Sequence, residues 1–345
     1  MSASARDFGI ICGTMPAGKN NAITDVPGVK VGHTTIRDGN INTGVTAILP
    51  HSGNLFRTKV LAASESINGF GKSAGLVQVN ELGTLETPIL LTNTLSVGTC
   101  VNALVKRAIE ANSDIGRTTS TVNAVVGECN DGPLNDIQAM GITEAHAFAA
   151  LDQAMASADG ACVEQGNVGA GTGMTCFGFK GGIGTASRRI TLGGKDYHLG
   201  TLVLSNFGRK GDLSLPDGRH PTPDFPDQAE KGSIMMIMAT DIPLEHRQLQ
   251  RVIRRCGAGI ARLGAFWGHG SGDIVIGFTT GVTVDHDQKS DLVAMQCLNE
   301  DRIDQLFRAA TESTQEAILN SMCAAEAFTG RDGATRNSLA DWLHN

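Results

Sequence analysis

Aromatic residues are scarce in this sequence, at 4% of 345 positions, while hydrophobic content reaches 41%. A core of ordinary size must therefore be built from Val, Ile, Leu, Met and Ala. With 43 glycines, it must also use tight turns and close backbone approaches. No basic block interrupts a net charge of −7, which argues against a nucleic acid partner. No apolar run is long enough to cross a bilayer, so no membrane partner is expected. None of the eight cysteines forms a C-x-x-C pair, and no His/Cys cluster has zinc-site spacing. The thiols are expected to be reduced core residues, with no metal and no other cofactor. The opening MSASARDFGI lacks a basic stretch followed by an apolar one, so no signal peptide is read. The expectation is a soluble cytoplasmic protein; a precursor without its leader would read the same.

The length suits one large domain or two intimately packed ones. Residues 20–36 read as a turn at Pro27-Gly28 followed by a strand. Short β-like runs follow at 45–50 and 58–62, then an apolar strand at 88–92. Val97, Val101, Leu104, Val105 and Ile109 have helical spacing across 97–112. Residues 122–127 read as a strand, and 136–140 and 143–156 as helical. Strands are also predicted at 200–206, 234–239 and 273–279. Residues 210–232, with four prolines and several charges, read as an exposed loop. Thr240-Asp241-Ile242-Pro243 reads as a helix start. The helix after it would carry Leu249, Val252, Ile253, Cys256, Ile260 and Leu263 on one face. Residues 301–325 read as a final amphipathic helix. Mixed strands and long helices give an α/β or α+β class.

The chemistry concentrates around Gly232-Ser233, where the polar loop gives way to the apolar run IMMIMA. A self-cleaving hydrolase needs these parts. Glycine lets an attacking oxygen approach its carbonyl, and serine can shift that acyl group onto its own hydroxyl. The α-amine then freed, with an ordinary pKa of about 7.7–8.0, can serve as the base for the same residue. The same pattern also fits a loop serine entering a core strand. Ser271 and Asp273 flank Gly272 on a strand entry, and a hydroxyl and carboxylate so spaced can orient a nucleophile. His269 beside them reads as a solvent-facing loop residue. Glu128 could grip a substrate ammonium. Asn130 could present its amide to substrate or oxyanion, although Asn130-Asp131-Gly132 also satisfies ordinary turn chemistry. The amide of Asn206, at a strand end, could donate to an oxyanion. Gly169-Ala170-Gly171-Thr172-Gly173 departs from the phosphate-binding pattern and reads as close packing instead. These residues by themselves leave room for an unprocessed ligand-binding protein, a nucleotide-binding transferase or an acyltransferase.

Taken in order, NNAITDVPGVKVGHTT, LTNTLSVGTCVNAL, GNVGAGTGMTCFGFKGGIGTASR, LVLSNFG, GSIMMIMATDIPL and GSGDIVIGFTT span nearly the whole chain. It resembles the L-aminopeptidase/D-esterase family, which includes the β-aminopeptidases. The resemblance implies an α+β fold, a single four-layer αββα sandwich of two mainly antiparallel sheets between helical layers. That fold is similar to the N-terminal-nucleophile hydrolases but has different strand connectivity. It implies cleavage into residues 1–232 and 233–345, held together without covalent bonds, usually as a homotetramer. It implies Ser233 as nucleophile, Ser271 and Asp273 as its assistants, Asn206 as oxyanion amide and Glu128 as binder of the substrate amine. β-Aminopeptidases commonly carry Glu where this chain has Asp273. Some members carry Tyr where it has Asn130, so Asn130 favours the β-aminopeptidase pattern. The implied partner is a short peptide or amide with a free amino terminus.

Overall fold

Residues 234–239, IMMIMA, contain no polar side chain, so a strand there needs cover on both faces. The computed structural model, which describes residues 3–224 and 232–344, supplies it. The chain begins with strands β1 (Lys30–Asp38), β2 (Ile41–Leu49) and β3 (Thr58–Gly69), helix α1 (Leu76–Leu82), strands β4 (Thr84–Leu85) and β5 (Ile89–Asn93), and helix α2 (Val97–Ala111). Strand β6 (Val125–Cys129), helix α3 (Glu144–Ala156), the short strands β7 (Thr175–Cys176) and β8 (Phe179–Lys180), and the long strands β9 (Gly182–Leu192) and β10 (Lys195–Asn206) follow. The last part holds β11 (Ser233–Thr240), α4 (His246–Ile253), α5 (Cys256–Ala261), β12 (Gly272–Asp285), α6 (Asp304–Cys323), β13 (Phe328–Thr329), β14 (Thr335–Arg336) and α7 (Leu339–His344).

A six-stranded sheet has the order β4-β3-β12-β11-β10-β9, and a four-stranded sheet the order β1-β2-β5-β6. All pairs are antiparallel except β11/β12 and β5/β6. Alternation sorts β11 between two cores. Met235, Ile237 and Ala239 join Leu202, Leu204, Ile274 and Ile276 between the sheets, where Ile48, Leu91 and Val125 of the smaller sheet meet them. Ile234, Met236 and Met238 face Leu249, Ile253, Ile260 and Ile318 of the helices behind. Helices α2 and α3 cover the outer face of the smaller sheet through Cys100, Leu104, Ala147 and Leu151. The result is the expected αββα sandwich. None of the helices among the described residues is long and apolar enough to cross a membrane. All eight cysteines are unpaired, and only Cys162 and Cys297 are exposed.

Several elements depart from the sequence reading. The run at 58–62 continues to Gly69, and that at 273–279 to Asp285. The segment at 136–140 is only a 3-10 turn, Ile137–Ala139. No helix starts at Thr240, whose hydroxyl donates to the His198 carbonyl and accepts the Ile242 N–H; α4 starts at His246. The loop over 210–232 is not wholly exposed. Leu213 and Leu215 are buried in the helix-side core, and Pro221 and Pro223 are also buried; its residues 225–231 lie outside the described residues. Strand β9 lies where the sequence pattern suggests no strand. The pattern of α6 is that of an amphipathic helix, yet every residue from Thr311 to Cys323 is buried. Its polar side is covered by the N-terminal segment and β9: Asn320 accepts the Ala5 N–H and donates to the Thr185 carbonyl. The Gly-rich segment packs closely, as expected. A methyl group on Gly171 would lie 2.5 Å from the Ile183 nitrogen, and one on Gly182 2.2 Å from the Gly166 oxygen.

Candidate active site

Ser233 is the first residue of β11, and its register neighbours are Asn206, the last residue of β10, and Gly272, the first of β12. Three strand ends therefore meet at one edge of the sandwich. Ser233 shares the inter-sheet face with Met235, and Asn206 with Leu204. Both are nearly enclosed, at 6% and 4% exposure. Gly272 leaves the serine hydroxyl its space: a methyl group there would lie 3.2 Å from Ser233 Oγ and 2.5 Å from the Phe70 carbonyl oxygen. The peptide before Ser233 is equally confined. The Gly232 carbonyl accepts the Gly272 N–H at 3.3 Å. A methyl group on Gly232 would lie 2.2 Å from the Asn206 carbonyl oxygen, so glycine is required at 232 by close approach.

Ser271 and Asp273 flank Gly272 and are both buried. The Ser271 hydroxyl donates to Asp273 Oδ1 at 2.9 Å. Asn68 of β3 donates to the carbonyls of Gly268, at 3.1 Å, and Ser271, and so pins this strand entry. His269 is exposed, with its ring 6.4 Å from that of Phe70.

Glu128 reaches the same edge from the smaller sheet. Strand β6 approaches β11 closely because Gly127 has no side chain; a methyl group there would lie 2.6 Å from Met235 Cε. Glu128 is 3% exposed. Its Oε1 accepts the Lys72 N–H at 2.8 Å, and its Oε2 accepts the Thr94 hydroxyl. Both donors are neutral, so they fix the carboxylate without cancelling its charge. Gly71 separates it from β12: a methyl group on Gly71 would lie 3.7 Å from Glu128 Oε1 and 4.0 Å from Gly272 Cα. The Asn130 side chain is exposed and closes a turn by accepting the Gly132 N–H at 2.9 Å. Its carbonyl accepts Asn206 Nδ2 at 2.9 Å, while Asn206 Oδ1 accepts the Thr175 N–H at 2.9 Å.

Residues 21–336 match the family model for Peptidase family S58. The chain belongs to peptidase family S58. It is 37% identical to the β-peptidyl aminopeptidase BapA of Sphingosinicella microcystinivorans, over 97% of this chain and 89% of that one. Among solved structures, the PH0078 protein of Pyrococcus horikoshii OT3 superposes with a TM-score of 0.91 at 44% identity, covering 99% of this chain and 98% of the other. The L-aminopeptidase D-Ala-esterase/amidase of Ochrobactrum anthropi, described as a variant of the Ntn-hydrolase fold, gives 0.89 at 35% identity, covering 99% and 96%. The protein is a hydrolase of the aminopeptidase type.

In this S58 peptidase the candidate site residues are held by further groups around them. Lys72, Thr94, Asn68 and Thr175 hold Glu128, the 268–271 entry and Asn206 in place, and sequence reading missed all four. Thr94 had one usable signal, since it follows the end of β5, the strand beside Glu128. Lys72 and Thr175 act through their backbone N–H groups, and the Asn68 side chain on β3 meets carbonyls some two hundred residues away. Cys129 follows Glu128 but is buried, which pushes its thiol well up from the usual range, so it is a poor nucleophile.

Asp131, also buried, is raised from 3.8 to about 6, first by desolvation, which hydrogen bonds from Thr43 and Asn135 only partly offset. A raised carboxyl favours the folded state below the unfolded value and loses that contribution as pH climbs through the folded one. In the S58 peptidase this window runs from about pH 4 to pH 6. Asp131→Asn, which keeps an acceptor for Asn135, should therefore be more stable than the parent at pH 8, by up to roughly 3 kcal/mol. The difference should vanish near pH 4. Urea melts at both pH values check this; equal midpoints at pH 8 would contradict it.

Proposed function

We propose that this S58 peptidase cuts its own backbone between Gly232 and Ser233 and then releases a small N-terminal residue from short peptides, amides and esters through an acyl-enzyme on Ser233. The observation that carries the reading is the register Asn206–Ser233–Gly272 with the Glu128 carboxylate across from it. In self-processing, Ser233 Oγ attacks the Gly232 carbonyl carbon, the acyl group moves from nitrogen to oxygen, and water hydrolyses the ester. The products are chains 1–232 and 233–345. In turnover, Glu128 pairs with the substrate ammonium and Ser233 Oγ attacks the first carbonyl. The freed α-amine of Ser233 or the Ser271–Asp273 pair takes the proton and delivers it to the leaving amine. Asn206 Nδ2 donates to the oxyanion. Water then releases the acyl group.

The distance between Glu128 and Ser233 sets how many bonds separate the substrate's amine from the bond cut. A β-amino residue such as β-alanine fits the reading best, since β-peptidyl aminopeptidase BapA is a full-length relative and Asn130 stands where some family members carry Tyr. The cut chains stay associated and assemble as a homotetramer. Eight unpaired thiols suit a reducing compartment, and we place the enzyme in the cytoplasm.

Turnover of β-alanyl, L-alanyl and D-alanyl p-nitroanilides tests the specificity, and β-alanyl should lead. Glu128→Gln should lower kcat/KM by about 30-fold or more, mostly through KM, as expected for removing one partner of a buried charge pair. An N-acetylated substrate should be refused by both proteins. Wild-type KM in Glu128→Gln would refute the assigned role.

A further inference from the structure

Lys180 is fully buried, and the mechanism above does not use it. Its Nζ donates to three backbone carbonyls, those of Gly171 at 3.0 Å, Met174 at 2.9 Å and Gly181 at 2.8 Å. A neutral amine carries only two N–H bonds and would leave one of these oxygens unserved; the ammonium serves all three. Burial pushes this ammonium well below its ordinary range, so retaining a lysine here opposes the solvation preference of the group. Packing alone would be met by an apolar side chain.

The three carbonyls enclose a tight hairpin. Thr175 pairs with Lys180 and Cys176 with Phe179, around a turn in which Phe177 and Gly178 have φ of 49° and 83°. The hairpin grips the end of β10, because the Phe177 N–H donates to the Phe207 carbonyl at 2.8 Å. Its Thr175 N–H donates to Asn206 Oδ1. A side-chain amide can be turned over at little cost unless its oxygen is claimed. With Oδ1 held by Thr175, Nδ2 must lie on the Asn130 side, where one N–H bonds the Asn130 carbonyl and the second is left for another acceptor.

We infer that Lys180 is a positioning residue for the Asn206 amide: its ammonium gathers the loop whose Thr175 N–H decides which way that amide faces. The inference rests on the oxyanion role given to Asn206 under the proposed function. Lys180 touches neither substrate nor Ser233 in this scheme and acts only through Asn206.

A double-mutant cycle on kcat tests it, using purified Lys180→Met, Asn206→Ala and the combined variant with a p-nitroanilide substrate. Asn206→Ala should lower kcat by about 100-fold or more. Lys180→Met should lower kcat by about tenfold with KM within about twofold, and in the Asn206→Ala background it should change kcat by less than about twofold. Lys180→Gln, which keeps two N–H donors, should fall between the parent and Lys180→Met; it also replaces Met in the cycle if that variant does not fold. Losses that multiply in the combined variant overturn the inference. So does a lower melting temperature with parental kcat, the signature of a purely structural lysine. Parental kcat in Asn206→Ala is a different failure, since it removes the oxyanion role itself.

Discussion

Ser233→Ala is expected to run as a single chain of 36.1 kDa on a denaturing gel, where the parent runs as two, and to lose hydrolysis by about 10⁴-fold or more. Two separate functions vanish with one oxygen. In the proposed mechanism the hydroxyl is the group that attacks the Gly232 carbonyl, and an uncut chain never frees the amine that would serve it as base. The side chain is small and sits where β11 begins, between Asn206 and Gly272, so its removal leaves the strand register and the cores intact. Circular dichroism should be unchanged. Edman sequencing of the parent's shorter chain should begin Ser-Ile-Met-Met. A Ser233→Ala protein that still breaks at this bond, or still turns over substrate at the parental rate, would remove the basis of the mechanism.

The second large effect concerns stability and lies away from the reacting groups. Arg188 of β9 is fully buried and meets Glu312 at 3.2 Å and Glu316 at 2.7 Å, both on α6. Its guanidinium also donates to the carbonyls of Cys12 and Ser187. Arg6 reaches Glu316 from the N-terminal segment at 2.5 Å. Burial pushes the Glu316 carboxyl up, but the Arg6 hydrogen bond and the charge of Arg188 outweigh it and hold the group below its usual range. Arg188→Met leaves two enclosed carboxylates short of their principal cation. The expected loss is about 3–5 kcal/mol, which for a chain of this length lowers the melting temperature by roughly 5 °C. Calorimetry at pH 7 checks it. A shift below about 1 °C would mean that solvent or neighbouring groups already compensate.

This cluster also shows where the sequence stops being readable. Strand β9 contains Thr185, Ser187, Arg188 and Arg189 beside two glycines, a composition that conceals a mostly buried edge strand. The buried charge of Arg188 is tolerable because α6 supplies carboxylates more than a hundred residues later. The polar side of α6 is obscure for the same reason, since Ser313 and Ser321 meet Thr201 and Ser205 of β10. By contrast, β11 declares itself as a buried strand through its six-residue apolar run, 234–239, entered through Gly232-Ser233. Asn206 and the Ser271–Asp273 pair were legible because each closes or opens a hydrophobic strand. Lys180 and Lys72 were not, since their importance lies in which carbonyl or carboxylate the fold carries to them.

The strand order β4-β3-β12-β11-β10-β9 interleaves sequence from both sides of the 232–233 bond. Strands β11 and β12 come after it and lie between β3 and β10, which come before. The break proposed there would be a nick in a finished weave, and neither piece could withdraw without laying bare a sheet. The proposed scission must therefore follow folding. The proposed cut would also make the history of the molecule one-way: the newborn polypeptide collapses as a single partner, whereas the cut one, once denatured, must find its other half by diffusion, so its renaturation yield should depend on concentration.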